Sequence, residues 1–210
     1  LADACVREGI TWIGPPKRVM ERLGNKVEAR AVAERAGVPV MPATGALPPD
    51  PAEARRLAEE VGFPLLVKAS WGGGGRGMRM VHDPGALEEA VEAGRREARA
   101  AFGNDEIFLE RLVERAWHIE VQVLADQHGG VVHLFERDCT VQRRHQKVIE
   151  IAPSPRLDPG IRDAICDAAV RLAREARYQC AGTVEFLLDA DSGDFFFIEV
   201  NPRIQVEHTV

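Results

Sequence analysis

Lysine is nearly missing from this 210-residue chain: it occurs only at 17, 26, 68 and 147, against 23 arginines. Where arginine dominates so strongly, a surviving lysine either stays at the surface by chance or marks a site that wants a compact point charge rather than a planar fork. Cysteine is scarce too. Cys5, Cys139, Cys166 and Cys180 show no CxxC pairing or regular spacing, which speaks against a zinc site or a disulfide framework and for reduced thiols in an intracellular protein. No apolar run reaches the length of a membrane span and no signal-peptide pattern opens the chain, so a cytoplasmic setting with no membrane partner is expected. Excess positive charge is also lacking. A net charge of -6 argues against general nucleic-acid binding, so any anion site must be local. The first residue is Leu and the last strand-like stretch runs straight into Val210; an excerpt of something longer is expected.

What the chain does contain is a charged hairpin. Thr183 to Leu188 and Phe195 to Val200 are β-rich runs around the turn-forming Asp189 to Asp194. Each run holds one carboxylate among apolar neighbours, Glu185 and Glu199. A buried charge without a partner costs several kcal/mol, so such an acid faces solvent, meets a cation or has an altered pKa. If the loop is Ala190 to Asp194, then Asp189 pairs with Phe195 and Glu185 falls opposite Glu199, with Asn201 on the same face. These oxygen donors suit Mg²⁺ or Mn²⁺. A slip of one residue would separate the two acids.

Along the chain, Pro15-Pro16 starts a helix that stops at Gly24, and a second helix from Lys26 to Ala36 is closed by Gly37. Residues 41 to 50 read as a loop or domain junction. Asp50-Pro51, Asp83-Pro84 and Asp158-Pro159 each offer an N-cap followed by a preset first turn. Strand candidates lie at Leu65 to Ala69, Met78 to Val81, Ile107 to Glu110, Ile119 to Leu124 and Val131 to Phe135. The mixture predicts an α+β architecture.

The run PLLVKASWGGGGRGMRMV places glycines between two strands. Gly72, Gly74 and Gly77 satisfy GxGxxG, yet a strand follows rather than a helix, so neither a dinucleotide fingerprint nor a Walker loop fits. Either it is a mobile surface loop, or its backbone N–H groups lie along phosphates as a flap. Lys68 at the end of the feeding strand can reach a phosphate. Glu110 and the apolar residues after it can face an adenine. Arg137 to Lys147, RDCTVQRRHQK, is a solvated charged turn or a site for a small polyanion; without interleaved aromatics it disfavours single-stranded nucleic acid. In the arm NPRIQVEH, Arg203, Gln205 and Glu207 share a face in extended chain, a plausible pocket for a small oxyanion and a base.

Five co-linear motifs, KASWGGGGRGM, LERLVERAWHIEVQVLAD, ERDCTVQRRHQKVIEIAP, AGTVEFL and FIEVNPRIQVEHTV, resemble the biotin carboxylase component of biotin-dependent carboxylases, an ATP-grasp fold. WGGGG, AFGNDE and the Asn-Pro-Arg form of the last motif are most similar to its pyruvate carboxylase branch; acyl-CoA and urea carboxylases are near relatives. The resemblance implies ATP contacts at Lys26, Lys68, His118, Gln142 and His145, with a flap containing Gly73, Gly74, Gly75 and Gly77. It implies an adenine site at Glu110, Leu112 and Val113, and a metal set of Glu185, Glu199 and Asn201. Bicarbonate would be held by Lys147, Arg203, Gln205 and Val206, with Glu207 as general base, so that Glu207, Arg203 and Lys147 carry catalysis. The implied reaction activates bicarbonate with ATP to carboxyphosphate and then carboxylates biotin on a carrier domain. A carboxyltransferase domain or subunit takes the product, in a homo-oligomer. The implied layout is the end of an N-terminal domain with a helical linker over residues 1–39, a lid over 40–112, and the first part of a catalytic subdomain over 113–210. Another ATP-grasp ligase, such as the carbamoyl-phosphate type, and a nucleotide-binding excerpt without turnover are the competing expectations. The family's chain continues past this point, including an arginine that steadies the biotin enolate, so these 210 residues alone are expected to be inactive.

Overall fold

The computed structural model describes residues 1–71, 78–144 and 146–210. The chain opens with helices α1 (Ala2–Arg7), α2 (Lys17–Gly24) and α3 (Lys26–Arg35). The Asn25 side chain accepts hydrogen bonds from the N–H groups of Val27 and Glu28, which caps α3.

A first unit follows: α4 (Pro51–Val61), β1 (Leu65–Ala69), β2 (Arg79–Val81), α5 (Leu87–Phe102) and β3 (Ile107–Arg111). Its antiparallel sheet has the order β2-β1-β3, and α4 and α5 close an apolar cluster that includes Ala58, Leu65, Val67, Val81 and Leu109. Asp83-Pro84 does not open α5 directly, because a 3-10 turn at Pro84–Ala86 intervenes. Gly94 lets α5 approach β1, since a Cβ there would meet Val67 Cγ1 at 2.9 Å.

The second unit holds β4 (Ala116–Ala125), β5 (Val131–Arg143), β6 (Gln146–Ile151), α6 (Pro159–Glu175), β7 (Cys180–Asp189) and β8 (Phe195–Asn201). Its antiparallel sheet runs β6-β5-β4-β7-β8. Ile165, Ala168 and Leu172 of α6 pack with Ile119, Val121, Val184 and Phe186, and Val19, Leu23 and Val32 of α2 and α3 join the same cluster. Alternation along β4 and β7 then turns His118, Glu120, Gln122, Thr183 and Glu185 to the other face.

Two expectations need correction. The strand expected to end at Phe135 continues to Arg143, and an unexpected β6 pairs back onto it, so most of the basic segment is a strand rather than a turn. Buried Arg137 and Cys139 alternate along it, and the arginine is neutralised from the neighbouring strand. The hairpin register also differs at its closed end: Leu188, not Asp189, pairs with Phe195, and Phe186 pairs with Phe197. A bulge then gives β8 one extra residue, Ile198, and restores Glu185↔Glu199 and Thr183↔Asn201.

Candidate functional site

Four charged residues lie abreast on the face turned away from α6. The registers place Arg137 opposite Glu120, Glu120 opposite Glu185, and Glu185 opposite Glu199. Like charges directly across strands destabilise a sheet unless cations intervene, and here they do. Arg137 Nε donates to Glu120 Oε1 at 2.7 Å, and Lys147 reaches over from β6 to Glu120 and, at 3.1 Å, to Glu185. Lys26, on the first turn of α3, donates to Glu199 at 2.6 Å. Asn201 Nδ2 donates to Glu185 Oε1 at 2.8 Å.

Burial and charge pull in opposite directions on this row. Desolvation alone would raise the pKa of Glu185, but the nearby His118 and Lys147 overcome it and bring that pKa down to about 2. His118 Nε2 lies 2.9 Å from Glu185 Oε2. Burial would lower the Lys147 pKa, yet Glu185 and Glu120 hold it above the ordinary lysine value. Lys147 is therefore a fixed cation and not a base. Glu150 shifts the other way: burial first, then the charges of Glu207 and Glu120, raise its pKa.

His118, Lys147, Glu150, Glu185 and Glu199 line one cleft of 470 Å³ between the two units, while Glu120 and Arg137 lie buried behind them. Of the residues expected in the site, Lys26, Lys68, Glu110, His118, Gln142, Lys147, Glu185, Glu199, Asn201, Arg203, Gln205 and Glu207 line it together. The arm after β8 brings Glu207 Oε1 to 3.6 Å from Lys147. From the roof, Lys68 Nζ and Glu110 Oε2 form a buried pair at 2.5 Å, so each holds the partner that a ligand would have to replace. Leu112, Val113 and Val206 do not line the cleft; the Leu112 N–H is committed to the Pro64 carbonyl at 3.0 Å. Gly73, Gly74, Gly75, Gly77 and His145 lie outside the described residues.

Sequence reasoning passed over Glu120 and Glu150 and gave Arg137 no role beyond its basic segment. Glu120 is fully buried, and His118, Glu120 and Gln122 form a period-two polar stripe inside an apolar strand, which was a usable signal. His118, Glu120 and Glu185 present atoms within 4.8 Å of one another, but Glu120 is engaged by Arg137 and Lys147. Glu185, Glu199 and Asn201 are hard oxygen donors on one face, and Asn201, with its nitrogen on Glu185, offers its amide oxygen. That chemistry fits a magnesium-type ion.

Residues 25–210 match the model of the carbamoyl-phosphate synthase L chain, ATP binding domain. The chain belongs to that family. Among the family's relatives, it is 54% identical over 213 residues to pyruvate carboxylase of Bacillus subtilis, covering 100% of this chain and 18% of that protein. It thus spans under a fifth of the length of the curated relatives it matches. Among solved structures, biotin carboxylase of Campylobacter jejuni in complex with βγ-ATP is 44% identical with a TM-score of 0.95, over 100% of this chain and 47% of that one. The biotin carboxylase domain of Hydrogenobacter thermophilus 2-oxoglutarate carboxylase, in complex with MgADP, ADP and bicarbonate, is 47% identical with a TM-score of 0.94, over 100% and 46% of the chains. The family membership and these likenesses identify the α+β architecture as an ATP-grasp fold.

Proposed function

We propose that this chain is the ATP-binding part of a biotin carboxylase within a pyruvate carboxylase, with residues 40–112 as lid and 113–210 as catalytic core. The observation that carries the reading is Glu185 abreast of Glu199 and beside Asn201, with Lys147 between this set and Glu207. ATP lies in the cleft with its phosphates toward Lys26, Lys68 and His118. Glu185, Glu199 and Asn201 would hold magnesium or manganese, which when bound offsets phosphate charge. Glu185, ionised down to about pH 2, is ready to do so throughout the physiological range.

Bicarbonate fits the arm. Arg203 offers a planar fork, Lys147 a permanent point charge, and Gln205 an amide. Glu207 takes the bicarbonate proton as an oxygen of the anion forms its bond to the γ-phosphorus. The bond from that phosphorus to the β–γ bridging oxygen breaks, leaving ADP and carboxyphosphate. The carboxyl carbon then bonds to a ureido nitrogen of biotin on a carrier domain as its bond to the phosphate oxygen breaks, and the departing phosphate takes the proton that the nitrogen gives up; a carboxyltransferase in the same oligomeric enzyme uses the product.

Biotin-dependent ATP hydrolysis in the presence of bicarbonate tests this in the intact protein. Glu207→Gln is expected to leave ATP affinity within about twofold while reducing bicarbonate-dependent turnover by at least about 100-fold. Equal loss of both would remove Glu207 from the role of base.

A further inference from the structure

A second cavity, of 400 Å³, shares no lining residue with the cleft. It forms where the start of α2, the turn after β4 and the end of α6 meet, and Arg18, Arg174 and Arg177 line it. Among the described residues, none of the three has a carboxylate within ion-pair distance. One acid does line the cavity. Asp126, however, accepts hydrogen bonds from the N–H groups of His128 and Gly130 at 2.8 and 2.7 Å, so its charge is used by its own turn. In a chain of net charge -6, this is a local excess of cation.

Local structure does not account for all of it. Arg174 and Arg177 sit at the C-terminal end of α6, where the helix dipole favours cations. Arg18 occupies the first turn of α2, the end where the dipole opposes a cation. Arg177 also takes a left-handed φ of 53° just beyond α6, a conformation that favours glycine. The same chain uses glycine for that purpose elsewhere, with Gly37 after α3 at 65° and Gly103 after α5 at 72°. Two of the three guanidinium groups thus stand where secondary structure alone would place something else, and they face one hollow. Tyr178, whose hydroxyl donates to the Ala181 carbonyl at 3.0 Å, and Gln179 complete the polar lining.

We propose that this cavity is a second anion site, separate from the cleft, which takes a compact oligophosphate group through Arg18, Arg174 and Arg177. Guanidinium forks match the paired oxygens of phosphoryl groups, and the volume is in the range of small-molecule sites. The site stands whether or not the cleft performs the reaction proposed above.

Titration calorimetry of the intact protein with inorganic pyrophosphate tests it, comparing wild type with Arg177→Gly, Arg18→Gln/Arg174→Gln and the cleft variant Lys26→Ala. Arg177→Gly suits its backbone conformation, so the fold should hold, as an unchanged or raised Tm will show. Both arginine variants are expected to weaken pyrophosphate binding by at least about tenfold, and Lys26→Ala to leave this phase within about twofold. Raising salt should weaken the same phase. The proposal is overturned if wild type shows no pyrophosphate binding beyond a phase that Lys26→Ala removes, or if the arginine variants bind as wild type does.

Discussion

The two faces of the five-stranded sheet are built from alternate residues of the same strands and stabilised by opposite means. Toward α6, Ile119, Val121, Val184 and Phe186 are enclosed by apolar side chains, each contributing through the area it removes from water. Toward the cleft, Arg137, Glu120, Glu185 and Glu199 stand in a row that is stable only because every charge has a partner. On the apolar face a defect stays local and graded. On the charged face, removing one partner strands another group, so the penalty belongs to the survivor.

The largest expected effect follows from that asymmetry. Arg137 is buried and holds both Glu120 Oε1 and Gln122 Oε1. Arg137→Ala should destabilise the intact protein by about 3–5 kcal/mol in urea denaturation. The double variant Arg137→Met/Glu120→Gln, which removes both charges, should lose clearly less than the single one. An additive result would show that the row is not a coupled network.

The three-stranded sheet repeats the device with a single pair, Lys68 and Glu110, and there stability can be separated from ligand binding. Lys68→Met should weaken ATP binding by about tenfold or more and also destabilise the three-stranded sheet by leaving Glu110 buried and unpaired. Adding Glu110→Gln should recover the stability, read as Tm, and not the affinity. Unchanged ATP affinity in Lys68→Met would return Lys68 to a purely structural role. On the apolar face, Ile165→Val should cost about 0.5–1.5 kcal/mol with ATP affinity unchanged.

The contrast between the faces also explains what could be read in advance. Apolar periodicity and Asp-Pro caps are local signals, so α4, α6 and strands β1, β2 and β3 were legible. Glu185 and Glu199 showed as acids in apolar runs, and their pairing on one face held. The route to it was hidden, because the bulge at Ile198 depends on how β7 and β8 fit together and leaves no mark in either alone. For Arg137 the turn reading failed, since a dense run of charge looks like a turn until Glu120, 17 residues earlier, is seen to neutralise it; the alternative reading of the segment, a site for a small polyanion, agrees with Gln142 and Lys147 lining the cleft. Glu120 itself carried a local sign in the His118, Glu120, Gln122 stripe.

Alkaline stability offers the smallest and sharpest test of the apolar face. Burial, followed by the charges of Glu136 and Asp163, pushes the Cys166 thiol from an ordinary 9.0 up to about 12. Between those values the unfolded chain has released this proton and the native protein has kept it. The native state therefore binds more protons, and stability must fall as pH rises through the window. Buried Cys139 and Tyr178 are raised as well and act in the same direction. Cys166→Ala should thus leave an alkaline decline in place but reduce its slope by up to one proton per molecule between about pH 9 and 12, as read from denaturation midpoints at successive pH values. An unchanged slope would mean that water reaches the sulfur and that α6 packs less tightly on β4 and β5 than its side chains imply.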